Sequence, residues 1–157
     1  MTLYTAGARP RSQPELGRDG TPWWATPYGR WRFSVEVDAM RQRFPGFRCR
    51  LRDGRMGWVG RLPGAVDPKT RYLVKVLCLS TFPDEPPVVT IEDPEIPSDT
   101  PHMTMGNRPC LFRLSAGPRS GYDAARTTAA TLVAWTALWI AAYEVWCRTH
   151  VWPGRAE

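Results

Sequence analysis

The sequence predicts an α+β domain in which two helices cover one antiparallel sheet. Three observations lead there: a helical apolar stripe near the N-terminus, four short strand-like runs joined by tight turns, and a long apolar helical run after residue 123. At 157 residues the chain is one domain's length. Its 43% apolar content and 8 tryptophans offset the entropy of ordering the backbone, which excludes an intrinsically disordered chain.

Residues 1–28 carry Pro10, Pro14, Pro22 and Pro27 among several glycines and show no sustained periodicity. They read as an extended Pro/Arg-rich arm, with the domain proper at 29–157, and Trp23 and Trp24 are expected to pack the end of the arm onto it. Residues 30–44 carry two patterns. Trp31, Phe33, Val35 and Val37 alternate as in a strand, while Phe33, Val37, Met40 and Phe44 follow a helical stripe. The longer stripe favours a helix, ended by Pro45-Gly46.

Strands are expected at 47–52, 56–62 and 71–79, with turn signals at Asp53-Gly54 and Pro63-Gly64, which makes an antiparallel meander. "PDEPP" at 83–87 breaks the chain before a fourth strand at 88–92. Residues 93–123 carry five prolines and no periodic run, and an irregular stretch of that length is usually functional. From Asp123 a helix is expected, capped by Asp123 or Ser120, with Leu132, Trp135, Trp139, Tyr143 and Trp146 as a core stripe. The apolar segment 129–146 is interrupted by Thr131, Thr136 and Glu144, so a buried helix fits it better than a membrane span.

The formal charge of +6 is N-terminal: residues 1–55 hold 11 Lys and Arg against 5 Asp and Glu, and the remainder is balanced. This is either a solvated arginine-rich surface or a docking face for an acidic partner. Cys49, Cys78, Cys110 and Cys147 are too far apart for paired-cysteine zinc or dithiol motifs. Cys78 and Cys147 sit in apolar runs, as buried free thiols do. All four are therefore expected to be reduced, in a cytoplasmic protein without metal or cofactor.

No phosphate-binding glycine loop, H-E-x-x-H or G-x-S-x-G occurs, so any chemistry falls to Cys110. It lies in the irregular loop after Pro109, with His102 upstream and Arg108 and Arg113 near in sequence. Those arginines favour a thiolate if their side chains turn towards it. The alternative is a small, inert buried residue.

The order of parts, with "WVGRLPG" at 58–64, "FPDEPPVV" at 82–89 and "PHMTMGNRPCL" at 101–111, resembles the ubiquitin-conjugating enzyme family over residues 30–154. The ending "YEVWCRTHVWPG" looks more like the bacterial branch of antiphage defence operons. The resemblance implies a UBC-like fold and a thioester relay. Cys110 takes an acyl C-terminus from an activating enzyme and passes it to a target amine.

The donor would be a ubiquitin-like modifier or the C-terminus of a CBASS nucleotide cyclase. Eukaryotic members carry His-Pro-Asn, whose asparagine steadies the loop and the oxyanion, whereas this chain has His102-Met103-Thr104. That leaves Asn107 as the side-chain amide available, with Thr104 or backbone N–H groups as alternatives. His102 is weighed as loop structure against proton transfer, and Asp123 as an acidic gate against a helix cap.

The resemblance also implies that Arg30, Arg32, Arg41 and Arg43 meet an acidic domain of the activating enzyme. A catalytically inactive UBC-fold module that binds a modifier or partner protein remains the alternative. Neither a membrane nor a nucleic acid is an expected partner: most of the tryptophans fall on core stripes rather than on stacking platforms.

Overall fold

The computed structural model describes residues 23–52, 55–111 and 121–154. After a short 3₁₀ turn at Trp23–Ala25, helix α1 spans Pro27–Arg43. Its start is written locally: the Thr26 hydroxyl accepts from the Gly29 N–H at 3.0 Å, and Pro27 supplies a helical φ where no N–H is needed. Trp24, Phe33, Val37 and Phe44 are half-buried against the core, so the expected stripe packs, but at its margin.

The centre of the buried face is polar. Arg32 and Glu36, one turn apart, have no exposed surface. Arg32 Nε donates to Glu36 Oε1 at 3.0 Å, while its two other nitrogens donate to the carbonyls of Ala124 and Thr127, each at 2.7 Å. Glu36 Oε2 accepts the Ala129 N–H at 2.8 Å, and the guanidinium lies 5.2 Å from the centre of the Phe82 ring. Burial pushes the Glu36 carboxyl above its ordinary value and Arg32 pulls it part of the way back. Arg32 is thereby removed from any docking surface, contrary to the implication drawn above, whereas Arg30, Arg41 and Arg43 are exposed.

The sheet is an antiparallel meander of β1 (Arg48–Arg52), β2 (Arg55–Pro63), β3 (Arg71–Cys78) and β4 (Val88–Asp93), in that spatial order. Alternation decides its faces: Met56, Trp58 and Leu62 on β2, Tyr72, Val74, Val76 and Cys78 on β3, and Val89 and Ile91 on β4 enter the core. Val76 pairs with Trp58 on one side and Val89 on the other, which builds a continuous apolar row. The layers match the α+β class and the UBC-like arrangement of helix, meander and closing helix.

Helix α2 spans Ala129–Thr149 and starts later than expected. Its cap is Thr128, whose hydroxyl accepts from the Thr131 N–H at 3.3 Å. Asp123 instead opens the preceding turn: its carboxylate accepts from the Ala125 N–H at 2.9 Å and its carbonyl from the N–H groups of Arg126 and Thr127. Although α2 is long and apolar enough to cross a membrane by length and composition, Leu132, Val133 and Ile140 are fully buried in the same core as the sheet.

Its one carboxylate, on Glu144, is also accounted for. Glu144 accepts from the Val66 N–H at 2.9 Å and from the Tyr72 hydroxyl at 3.2 Å, and Gly64 lies close against it. The sequence reading placed both Cys78 and Cys147 inside. Cys78 is buried, but Cys147 lies in the last turn of α2, beyond the core, and is exposed. All four cysteines are free.

Candidate active site

The irregular stretch after β4 contains a small hairpin, β5 (Met103–Thr104) and β6 (Arg108–Pro109), which the sequence reading did not anticipate. Its turn runs through Met105, Gly106 and Asn107, with Gly106 at φ 76° and Asn107 at φ 59°, a conformation that glycine adopts freely and asparagine tolerates. The Thr104 hydroxyl donates across the hairpin to the Arg108 carbonyl at 3.1 Å. The Ile91 N–H donates to the Asn107 carbonyl at 3.0 Å, which hangs the hairpin on β4.

Cys110 follows β6 directly and is exposed. Its N–H donates to the His102 carbonyl at 2.9 Å, closing the loop across the base of the hairpin. The same carbonyl accepts the indole N–H of Trp139 on α2, also at 2.9 Å. His102 itself has φ 56° and rests its ring 4.9 Å from that of Trp152, which in turn lies 5.5 Å from Trp139. Trp139 stacks on Tyr143 at 5.4 Å. The Cys110 backbone is thus fixed to the core helix through one carbonyl, with an aromatic row behind it.

Beside the thiol runs an open groove of about 340 Å³. His102, Cys110 and Leu111 form one wall; Trp135, Leu138, Trp139 and Ala142 of α2, with Trp152, form the other. No carboxylate, lysine or arginine lines it among the described residues. Desolvation raises the Cys110 thiol above its ordinary value. The expected help from arginine does not arise from Arg108, whose side chain lines a hollow on the outer face of the sheet with Arg50, Arg55 and Lys75. Arg113 lies outside the described residues.

Of the three site residues singled out in the sequence, the fold brings Cys110 and His102 to one groove. Asn107 sits at the exposed turn of the hairpin and is not among the groove's lining residues. The α2 wall was missed. Trp139 is buried in the core and Trp135 packs against it, as the core stripe predicts, but together with Leu138 and Ala142 they also line the groove, a role the stripe did not reveal.

No curated protein matches the sequence. A family model described as Type II CBASS E2 protein matches residues 36–157, from within α1 through the sheet, the Cys110 loop and α2. The span includes every structural part of the groove, and such a family acts in CBASS antiphage defence by E2-like conjugation with the other conjugation components of that system. With the greater part of its length matched and a fold of the corresponding class, the chain belongs to the Type II CBASS E2 protein family.

Proposed function

We propose that Cys110 is the acyl carrier of this E2-like protein. Its thiol attacks the thioester carbonyl of a modifier held on an activating enzyme's cysteine. The new S–C bond forms as the old one breaks, and the departing sulfur takes up a proton. A target amine then attacks the Cys110 thioester, an amide bond forms and Cys110 leaves as the thiol. The modifier is a ubiquitin-like protein or the C-terminus of a CBASS nucleotide cyclase.

The observation that carries this reading is an exposed thiol at the edge of a groove, on backbone fixed to the core. Desolvation raises the thiol and slows its attack, so the exchange relies on positioning. Transfer between thioesters trades one sulfur for another at little net cost, so holding the donor in place does more than a strong base would. His102 is the positioning group, through its carbonyl. Asn107 is the candidate amide donor to the oxyanion, and Arg30, Arg41 and Arg43 remain the exposed cations for an acidic surface of the activating enzyme.

Incubating the protein with its activating enzyme, ATP and modifier tests the reading. The expected product is an adduct cleaved by excess thiol, absent from Cys110→Ala and converted to a thiol-stable ester in Cys110→Ser. An adduct that survives Cys110→Ala overturns the assignment. Modifier binding that Cys110→Ala leaves intact, with no adduct in the wild type, marks a non-catalytic binding module instead.

A further inference from the structure

Helix α2 is apolar beyond what the core requires. Leu132, Val133, Trp139 and Ile140 are buried in the interior, yet Trp135, Leu138 and Ala142 open on the groove, and Leu138 is 70% exposed there. A large aliphatic side chain left in water beside a reactive sulfur marks a surface that something covers. The other wall, of His102, Cys110 and Leu111, carries no carboxylate, lysine or arginine either.

We propose that this groove selects the acyl donor by its C-terminal tail, and that the tail it takes carries bulky aliphatic or aromatic side chains in the residues just before the acyl carbon. The proposal rests on Cys110 being the acyl carrier. Once a C-terminal carbonyl is bonded to Cys110, the two or three residues before it lie within roughly 10 Å of the sulfur, since an extended residue spans at most about 3.5 Å. That is the neighbourhood the groove occupies.

A basic tail would meet no carboxylate among the described lining residues, and cation–π contact with the indoles would offset only part of the desolvation of its cations. An apolar tail covers Leu138 and leaves its backbone free to bond with water or the loop. The small Ala142 side chain, one turn from Leu138, leaves room for the tail's side chains. Discrimination is therefore set by Leu138, Trp135 and Trp152 rather than by the nucleophile.

The test uses three synthetic tetrapeptide thioesters of 2-mercaptoethanesulfonate, acetylated at the N-terminus, with tails Ala-Leu-Leu-Gly, Ala-Ser-Ser-Gly and Ala-Arg-Arg-Gly. Each can acylate Cys110 directly: the thiol attacks the thioester carbonyl and mercaptoethanesulfonate leaves with the proton. Rates are read on the full chain as acylation of the Cys110 peptide, by mass spectrometry after proteolysis, because Cys49 and Cys147 are also exposed.

The leucine donor is expected to react about tenfold faster than the other two, the scale of covering one aliphatic side chain. In Leu138→Glu that ratio should fall towards one or invert in favour of the arginine donor. The ratio within one variant cancels differences in folded fraction.

Equal rates for all three donors in the wild type, or the arginine donor fastest, overturn the tail preference while leaving Cys110 as acyl carrier. No acylation by any donor, when iodoacetamide still alkylates Cys110, overturns the acyl-carrier reading and this one with it. A preference for the leucine donor that Leu138→Glu leaves unchanged also overturns the proposal, because the selection then lies elsewhere.

Discussion

The backbone N–H of Cys110 and the indole N–H of Trp139 converge on one oxygen, the His102 carbonyl, each at 2.9 Å. A loop that carries the candidate nucleophile is in this way tied to the longest helix of the fold. His102 serves the arrangement through its main chain, and its left-handed φ of 56° turns the carbonyl towards both donors.

Trp139→Phe removes the indole donor and keeps most of the aromatic packing. Stability should fall by about 1 kcal/mol, the net worth of one hydrogen bond. Hydrogen exchange of the Cys110 amide should quicken by more than global unfolding accounts for. Exchange that changes only in step with global stability would show that the indole does not hold the loop.

Arg32→Ala strips a buried carboxylate and two carbonyls of their partner, so it should cost about 3–5 kcal/mol in urea unfolding. Replacing both partners, as in Arg32→Met with Glu36→Leu, should cost less than Arg32→Ala alone, because no buried charge is then left unpaired. Additive losses in the double variant count against a coupled pair.

The raised thiol of Cys110 makes a pH prediction. Below its pKa the group is the neutral thiol and reacts slowly. Alkylation by iodoacetamide should therefore keep rising with pH past the point at which a cysteine in an unfolded peptide levels off near its ordinary value of about 8.5. A plateau near neutral pH would mean that a cation holds the thiolate after all.

Asn107 can be separated into its two possible duties. Asn107→Gly keeps the left-handed turn and deletes the amide, whereas Asn107→Ala strains the turn as well. If the amide stabilises the oxyanion, both variants should slow amine attack on a preformed thioester by about 10²-fold or more. If the residue serves only the turn, the glycine variant should match the wild type.

Gly64 packs where a β-carbon would meet the Asp67 carbonyl and the Glu144 carboxylate. Gly64→Ala should destabilise the protein by about 1–3 kcal/mol, the cost of overpacking a filled site. Combining it with Glu144→Gln or Tyr72→Phe should give less than the sum of the single losses, as expected for residues sharing one network.

The strands were legible because their cues are local. Alternation and turn residues placed all four within a residue or two, and Pro45-Gly46 marks the end of α1, whereas its start at Thr26-Pro27 lies three residues before the expected one, inside what read as the arm. Cys110 and its loop were legible through their setting, between the proline-rich exit of the sheet and an apolar helix. The start of α2 was not, because Asp123, Thr127 and Thr128 are all competent to cap or turn, and which of them begins the helix depends on Glu36 receiving the Ala129 N–H.

The sequence by itself determined the α+β layering and the meander, since these follow from periodicities of two and 3.6, while Cys110 as candidate nucleophile came from the family resemblance of its motifs. Only the tertiary structure decided what lies between residues far apart in the chain. It buried Arg32 against Thr127, turned Arg108 to the opposite face of the sheet from Cys110, and set Leu138 on an open groove rather than in the core. The physical reason is common to all three: a charge is buried or exposed, and an apolar stripe covered or left open, according to partners that no local pattern names.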